Sequence, residues 1–478
     1  MNVFTRLSRR LSPLARDEAG LTLVEILVAM TIFGIISVGI AAGVTASLVN
    51  TRDSQNREAA LNLAASQIDL VRSVTDVFTV NDTAGPANVV VGGVSFHVSR
   101  ETNWVTSSGG DASCGANAAG STLLYKRVTI SVTWDGMRNT DAPAVADTLL
   151  APNSRINDPT KGTILVHVFG VDGSDRPNVS VNAVPTPGVT GNTATALTVT
   201  PADTDIQGCS YILKVTPGTY DVTVSKTGYI ADDNKTLGSA VKTVGVAAGA
   251  SASASFQFEN AGLFSSALAV NAGATTGILT PTNLDLTFLS SSYGTFVKTS
   301  TGSAIGLHPY ADGYTVLAGK YVDPNVSASQ TCPAVDPEAW PDTTVGSVTY
   351  SGHRPSLISA RPGEAATPGP AQVTMGVFTV VLNNANGAYI NAVAQSGSSN
   401  GNPGCPVAMA YTFGSKVTSS TNTTFRLALP WGSWKLYQSS TSTGTTNQIG
   451  NSGMTAVAGT TLIKDSSNMV TFDPRVAS

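Results

Sequence analysis

One carboxylate stands alone in a long apolar run. From Leu21 to Val49 the only charged residue is Glu25, and the next charge is Arg52. A carboxylate inside a membrane costs a few kcal/mol or more unless it meets a partner, so Glu25 demands a cation or a headgroup. Elsewhere the residues with reactive chemistry are scattered. The four histidines, His97, His167, His308 and His353, lie far apart. The chain has no His-Glu-x-x-His, no Gly-x-x-x-x-Gly-Lys and no Gly-x-Ser-x-Gly. His97 and His167 fall on strand patterns, where a structural role is favoured over ligation. Asp172, Asp175, Asp203 and Asp205 carry the oxygens that calcium takes, but their spacing suits turn-forming aspartates better. Trp431, Trp434 and Tyr437 form either an exposed aromatic surface or core packing at a turn, and packing is favoured. No catalytic residue, metal or cofactor is expected, and the chain is not read as an enzyme.

The elements around Glu25 narrow its role. Residues 1–20 hold Arg6, Arg9, Arg10 and Arg16 against Asp17 and Glu18 and end in Gly20. Ile26 to Val49 is a stretch of 24 uncharged residues, enough for a helix across the roughly 30 Å hydrocarbon core. Arginines before it favour a cytoplasmic N-terminus and an external remainder. The sequence Gly20-Leu21-Thr22-Leu23-Val24-Glu25 resembles the processing and assembly motif of type IV prepilins and type II secretion pseudopilins. The resemblance implies cleavage by prepilin peptidase between Gly20 and Leu21 and N-methylation of Leu21. It also implies pairing of the new amine with Glu25 of a neighbouring subunit. The other reading is a single-pass anchor whose Glu25 snorkels to the headgroups. Gly34, Gly39 and Gly43 weaken the helix by about 1 kcal/mol each relative to Ala, which suits bending or local melting within a fibre.

Composition bounds the remainder. At 478 residues the chain is too long for one core. Charged residues make up 12%, about half the usual share. The net charge is −4, against dedicated nucleic-acid binding, which needs clustered Lys and Arg. Cys114, Cys209, Cys332 and Cys405 sit in turn-like contexts and are candidates for two disulfides, with three connectivities open.

Residues 50–75 continue the helix, with Ala60, Leu61, Ala64, Ala65, Ile68 and Val71 at three- and four-residue steps. Residues 88–98 and 123–134 alternate as strands. A long helix on a small antiparallel sheet over 50–150 is the pilin fold of the resembling family, and RVTISVTWDG resembles the sheet of minor pilins that prime assembly. Residues 139–160 read as a linker. The segment 162–260 is similar to transthyretin-like or carboxypeptidase regulatory-like β-sandwiches, whose Pro-Gly-x-Tyr turn is Pro217, Gly218 and Tyr220 here. A related collagen-adhesin repeat has a strand lysine for an isopeptide bond. His167 occupies that region here, so no isopeptide is expected. Residues 373–478 repeat the logic, with Pro430-Trp431-Gly432-Ser433-Trp434 at the turn. Residues 262–370 are expected as an eroded copy, with 361–372 as a Pro-rich linker.

The expected fold class is therefore α+β in the N-terminal pilin-like domain, followed by all-β tandem sandwiches. The expected sections are a leader (1–20), an assembly helix (21–49), a pilin-like domain (50–150) and sandwiches at 162–260, 262–370 and 373–478. The function these imply is that of a large minor pilin, sparse or at a fibre tip, presenting sandwiches for adhesion or priming. Its partners would be other pilin subunits, prepilin peptidase, the cytoplasmic membrane and a surface or host ligand. The alternative is a secretion pseudopilin whose sandwiches contact secreted substrates. The expected location is the cytoplasmic membrane, then the cell surface.

Overall fold

A computed structural model of the chain describes residues 22–83, 85–107, 111–112, 114, 123–138, 142–152, 158–273, 275–300, 302–322, 332–382, 386–397, 399–414, 416–418 and 423–477. The chain forms two compact units. The first takes residues up to 102 and 127–150, the second 103–126 and 151 onward.

The first unit is built on α1, Leu23–Arg72, a helix of 50 residues and about 75 Å at 1.5 Å per residue. Its buried residues are Ala60, Ala64, Ile68 and Val71. Steps of four, four and three keep them on one stripe. Leu61 and Ala65, expected on the same face, are exposed. Each lies one position beyond a stripe residue, which turns it about 100° away. The stripe packs on strands β1 (Ala87–Val91), β2 (Val94–Thr106), β4 (Leu123–Trp134) and β5 (Ala144–Leu150), whose sheet also holds the short β3 (Asp111–Ala112). The strand order is β1-β2-β4-β5, with β3 against β2. Gly92 and Gly93 turn β1 into β2 with φ of 60° and 82°, the backbone that a two-residue hairpin needs. Val128, Ile130, Val132 and Trp134 alternate inward along β4 and meet Phe96, Val98 and the helix stripe.

The second unit begins with a two-layer sandwich. Its strands are β6 (Gly162–Phe169), β7 (Ser180–Pro185), β8 (Cys209–Val215), β9 (Gly218–Ser225), β10 (Tyr229–Ala231), β11 (Ser239–Val246) and β12 (Ser251–Asn260). One sheet runs β10-β12-β6-β8 and the other β11-β9-β7. Period-two alternation puts Ile164, Val166 and Val168 of β6 against Tyr220, Val222 and Val224 of β9, with Phe256 and Phe258 between the layers.

One further core takes all the rest, from Phe264 to Phe472. Gly376–Leu382, Thr423–Leu429 and Met454–Ala456 form one of its sheets. Tyr389–Ala394, Gly432–Ser439 and Val470–Asp473 lie in the facing one. Residues 262–370, expected as an eroded sandwich with a core of its own, contribute Phe264, Phe288, Tyr314 and Trp340 to this shared core. Their strand Ile278–Leu279 joins the sheet of the last sandwich, beside Thr423–Leu429. Short strands such as Asp285–Ser290 and Thr315–Ala318 bury their apolar side chains by sharing a layer. Nor is the Pro-rich run 361–372 a free linker. Ala371–Val373 pairs in parallel with Ser266–Leu268, and Ala366 and Ala371 are buried.

Candidate functional site

The helix start is organised locally. Thr22 is extended and caps α1, its Oγ1 accepting the Glu25 N–H at 3.3 Å. Glu25 is thus the third residue of the helix, where a carboxylate faces the positive end of the helix dipole. Gly20 and Leu21 lie outside the described residues. From Ile26 to Val49 the helix carries no charge on any side, and no residue before Ala60 is buried. A Cβ on Gly34, Gly39 or Gly43 would meet nothing within 4 Å, and α1 runs unbroken through all three. Among the described residues this is the one helix long and apolar enough to cross a membrane.

The other candidates are absorbed by the fold. His97 spans Asn88 Oδ1 (2.7 Å) and Asp135 Oδ1 (3.0 Å), tying the β1–β2 hairpin to the end of β4. His167 Nε2 meets Asp175 Oδ1 at 2.8 Å, while His353 Nε2 lies 3.3 Å from Ser351 Oγ. Asp172 accepts the N–H and hydroxyl of Ser174 at 3.0 and 2.6 Å, and these bonds lower its pKa to about 2. Asp203 accepts from Ser180 Oγ, and Asp205 from the Gln207 and Cys209 N–H groups. All four aspartates are engaged within the chain. Trp434 is fully buried with Nε1 donating to the Pro430 carbonyl (2.9 Å), and Trp431 Nε1 donates to Thr374 Oγ1 (3.2 Å). Tyr437 is half-buried on the strand paired to Tyr389–Ala394. The two tryptophans form a core turn. The cysteines pair as Cys114–Cys209 and Cys332–Cys405, closing 95 and 73 residues.

Sequence reasoning missed a polar joint within the second unit. Asn234, in the positive-φ region at 53°, is buried and accepts the His308 N–H at 2.6 Å while donating to Tyr314 Oη at 3.1 Å. Lys298 Nζ donates to the Asn234 carbonyl, and Tyr310 Oη to that of Asp232. His308 is fully buried, neither ring nitrogen has a hydrogen-bond partner among the described residues, and burial lowers its pKa to about 4. In the sequence, Asp232-Asp233-Asn234-Lys235 signals only a turn.

The prokaryotic N-terminal methylation motif matches residues 15–41. The chain carries a prepilin-type N-terminus. That N-terminus leads into one long helix and then many strands in several sheets. No curated protein matches the sequence. Among solved structures, the Bacillus anthracis TIE protein aligns at 11% identity over 79% of this chain and 71% of its own, with a TM-score of 0.17. The Streptococcal ancillary pilin aligns at 10% over 51% and 76%, TM-score 0.18. The major pilin subunit of Bacillus cereus aligns at 9% over 66% and 95%, TM-score 0.19.

Proposed function

We propose that this chain is a large minor pilin, cut between Gly20 and Leu21, methylated at Leu21 and anchored by α1 in the cytoplasmic membrane until it enters a type IV pilus-like fibre. The observation that carries this reading is the exposed, all-round apolar length of α1, which starts at the Thr22 cap and holds Glu25 as its only charge before Arg52. Such a surface requires lipid first and packed neighbouring helices afterwards. Glu25 in the first turn sits close in sequence to the new amine at Leu21, so each subunit offers a cation and a carboxylate at one end of its helix. Cation and carboxylate of adjacent subunits offset each other in an apolar fibre core.

The second unit holds most of the mass, and such a bulk crowds a helical fibre if every subunit carries it. A sparse or tip position follows, with the sandwiches displayed outward for adhesion or for priming assembly. To test this, native cells are sheared and the N-terminus of this protein is mapped by mass spectrometry. A sheared chain starting at Leu21, scarce beside a smaller pilin, supports the reading. A chain that keeps its leader and stays in the membrane fraction sinks it. A chain that starts at Leu21 but resists shearing, with a secretion defect on deletion, points instead to a secretion pseudopilin.

A further inference from the structure

The connection from β7 to β8, residues 186–208, follows the edge strand of the β11-β9-β7 sheet and is tied to the sandwich only in places. At one end Val179 donates its N–H to Thr204 Oγ1 (3.0 Å) and accepts the Thr204 N–H (2.9 Å). Beside it Asp205 donates to the Cys209 carbonyl (2.9 Å). Between Thr195 and Ala202, the stretch Ala196–Pro201 makes no hydrogen bond to any described residue. Across from it runs β7. In an antiparallel ladder successive residues alternate between the partner strand and the free edge. Val179 faces outward to Thr204, and Thr186 bonds inward to the Thr219 carbonyl (3.0 Å). Val181 and Ala183 therefore present their backbone groups to the free edge. The Asn182 side chain takes the Ala183 N–H at 2.9 Å. The Ala183 carbonyl then faces a slot of about 270 Å³ between Asn182–Val184 and Ala196–Pro201, and the Val181 N–H and carbonyl lie next to it on the same strand edge. Val181 is 4% exposed and Ala183 3%, so these groups sit where a missing partner is costly.

We propose that this slot binds an extended polypeptide segment that pairs with β7 and adds a strand to the β11-β9-β7 sheet. The two carbonyls call for N–H donors on alternate residues of the segment. No charged side chain lines the slot, and Val184, Leu197 and Val199 flank it, so the segment is uncharged and carries small or β-branched residues there. The inference stands on the first sandwich alone and holds whether or not the chain enters a fibre.

The test uses the full-length chain in detergent and a short blocked peptide of alternating Val and Thr as the probe, read by hydrogen exchange. The expected result is saturable protection over residues 179–185 and 196–203, absent for a peptide with proline at alternate positions. Val184→Lys and Val199→Asp, at sites 47% and 75% exposed, leave the fold intact and weaken binding by about tenfold or more. No saturable protection on either wall, as for a slot holding only water, overturns the proposal. So does equal binding of the proline peptide, or wild-type binding by both variants.

Discussion

Thr22 and Glu25 stand three residues apart, which is the spacing of a helix capping box as well as that of the prepilin motif. The cap gives both residues a reason to exist in any helix, so the spacing alone does not single out assembly. Glutamine separates the two roles, because it serves the third helical position without charge. Glu25→Gln is expected to leave α1 formed and the leader cleaved, yet to cut recovery in sheared fibres about tenfold or more. Wild-type recovery would reduce Glu25 to a helix-start residue. His308 offers a second reading at this scale. Its folded pKa of about 4 lies below the ordinary 6.5, because burial disfavours the charged ring. Unfolding therefore takes up a proton between those values. The stability is fully present above about pH 6.5 and falls as pH drops towards 4, by up to about 3 kcal/mol. The groups near the ring are Asp232, Glu259, Tyr310, Tyr314 and Asn234. Urea midpoints across that window should fall less for His308→Phe than for wild type, and parallel curves would refute this.

At the scale of elements, the two sandwiches share a device that the sequence showed only as a similar turn. Pro217-Gly218 carries the chain from β8 in one sheet to β9 in the other, and Pro430-Trp431-Gly432 does the same in the last sandwich. In both, the aromatic residue two positions after the glycine folds back on a carbonyl four residues upstream. Tyr220 Oη donates to Thr216 O at 2.9 Å and Trp434 Nε1 to Pro430 O at 2.9 Å. Gly218 has φ of 148°, and a Cβ there would lie 2.3 Å from the Ala194 nitrogen. Tyr220→Phe removes the hydroxyl of a buried ring and is expected to cost about 1–2 kcal/mol. Gly218→Ala should cost more, since strain and a backbone clash combine. Thermal unfolding ranks the two, and the reverse order would refute the account.

Across the whole molecule, long-range ties decide how the second unit behaves. The Asn234–His308–Tyr314 joint couples the first sandwich to the core that follows, so the two are parts of one unit rather than beads on a string. Cys114–Cys209 closes a 95-residue loop, and replacing both cysteines by alanine should lower unfolding free energy by about 2–5 kcal/mol in guanidinium denaturation. An unchanged midpoint would show that this bridge constrains little. Much of this protein was legible in local pattern. The all-apolar run fixes a long helix, the Gly20–Glu25 spacing marks the prepilin N-terminus, and period-two alternation around Pro217-Gly218 fixes the strands that enclose Tyr220. These features depend on neighbours within a few residues, where the sequence is its own context. Tertiary structure alone decided the cysteine pairs, the turning of Leu61 and Ala65 away from the sheet, and the merging of residues 262–370 into the last core. Each of those depends on which distant strand supplies the facing layer, and strand alternation marks a buried face without naming what covers it.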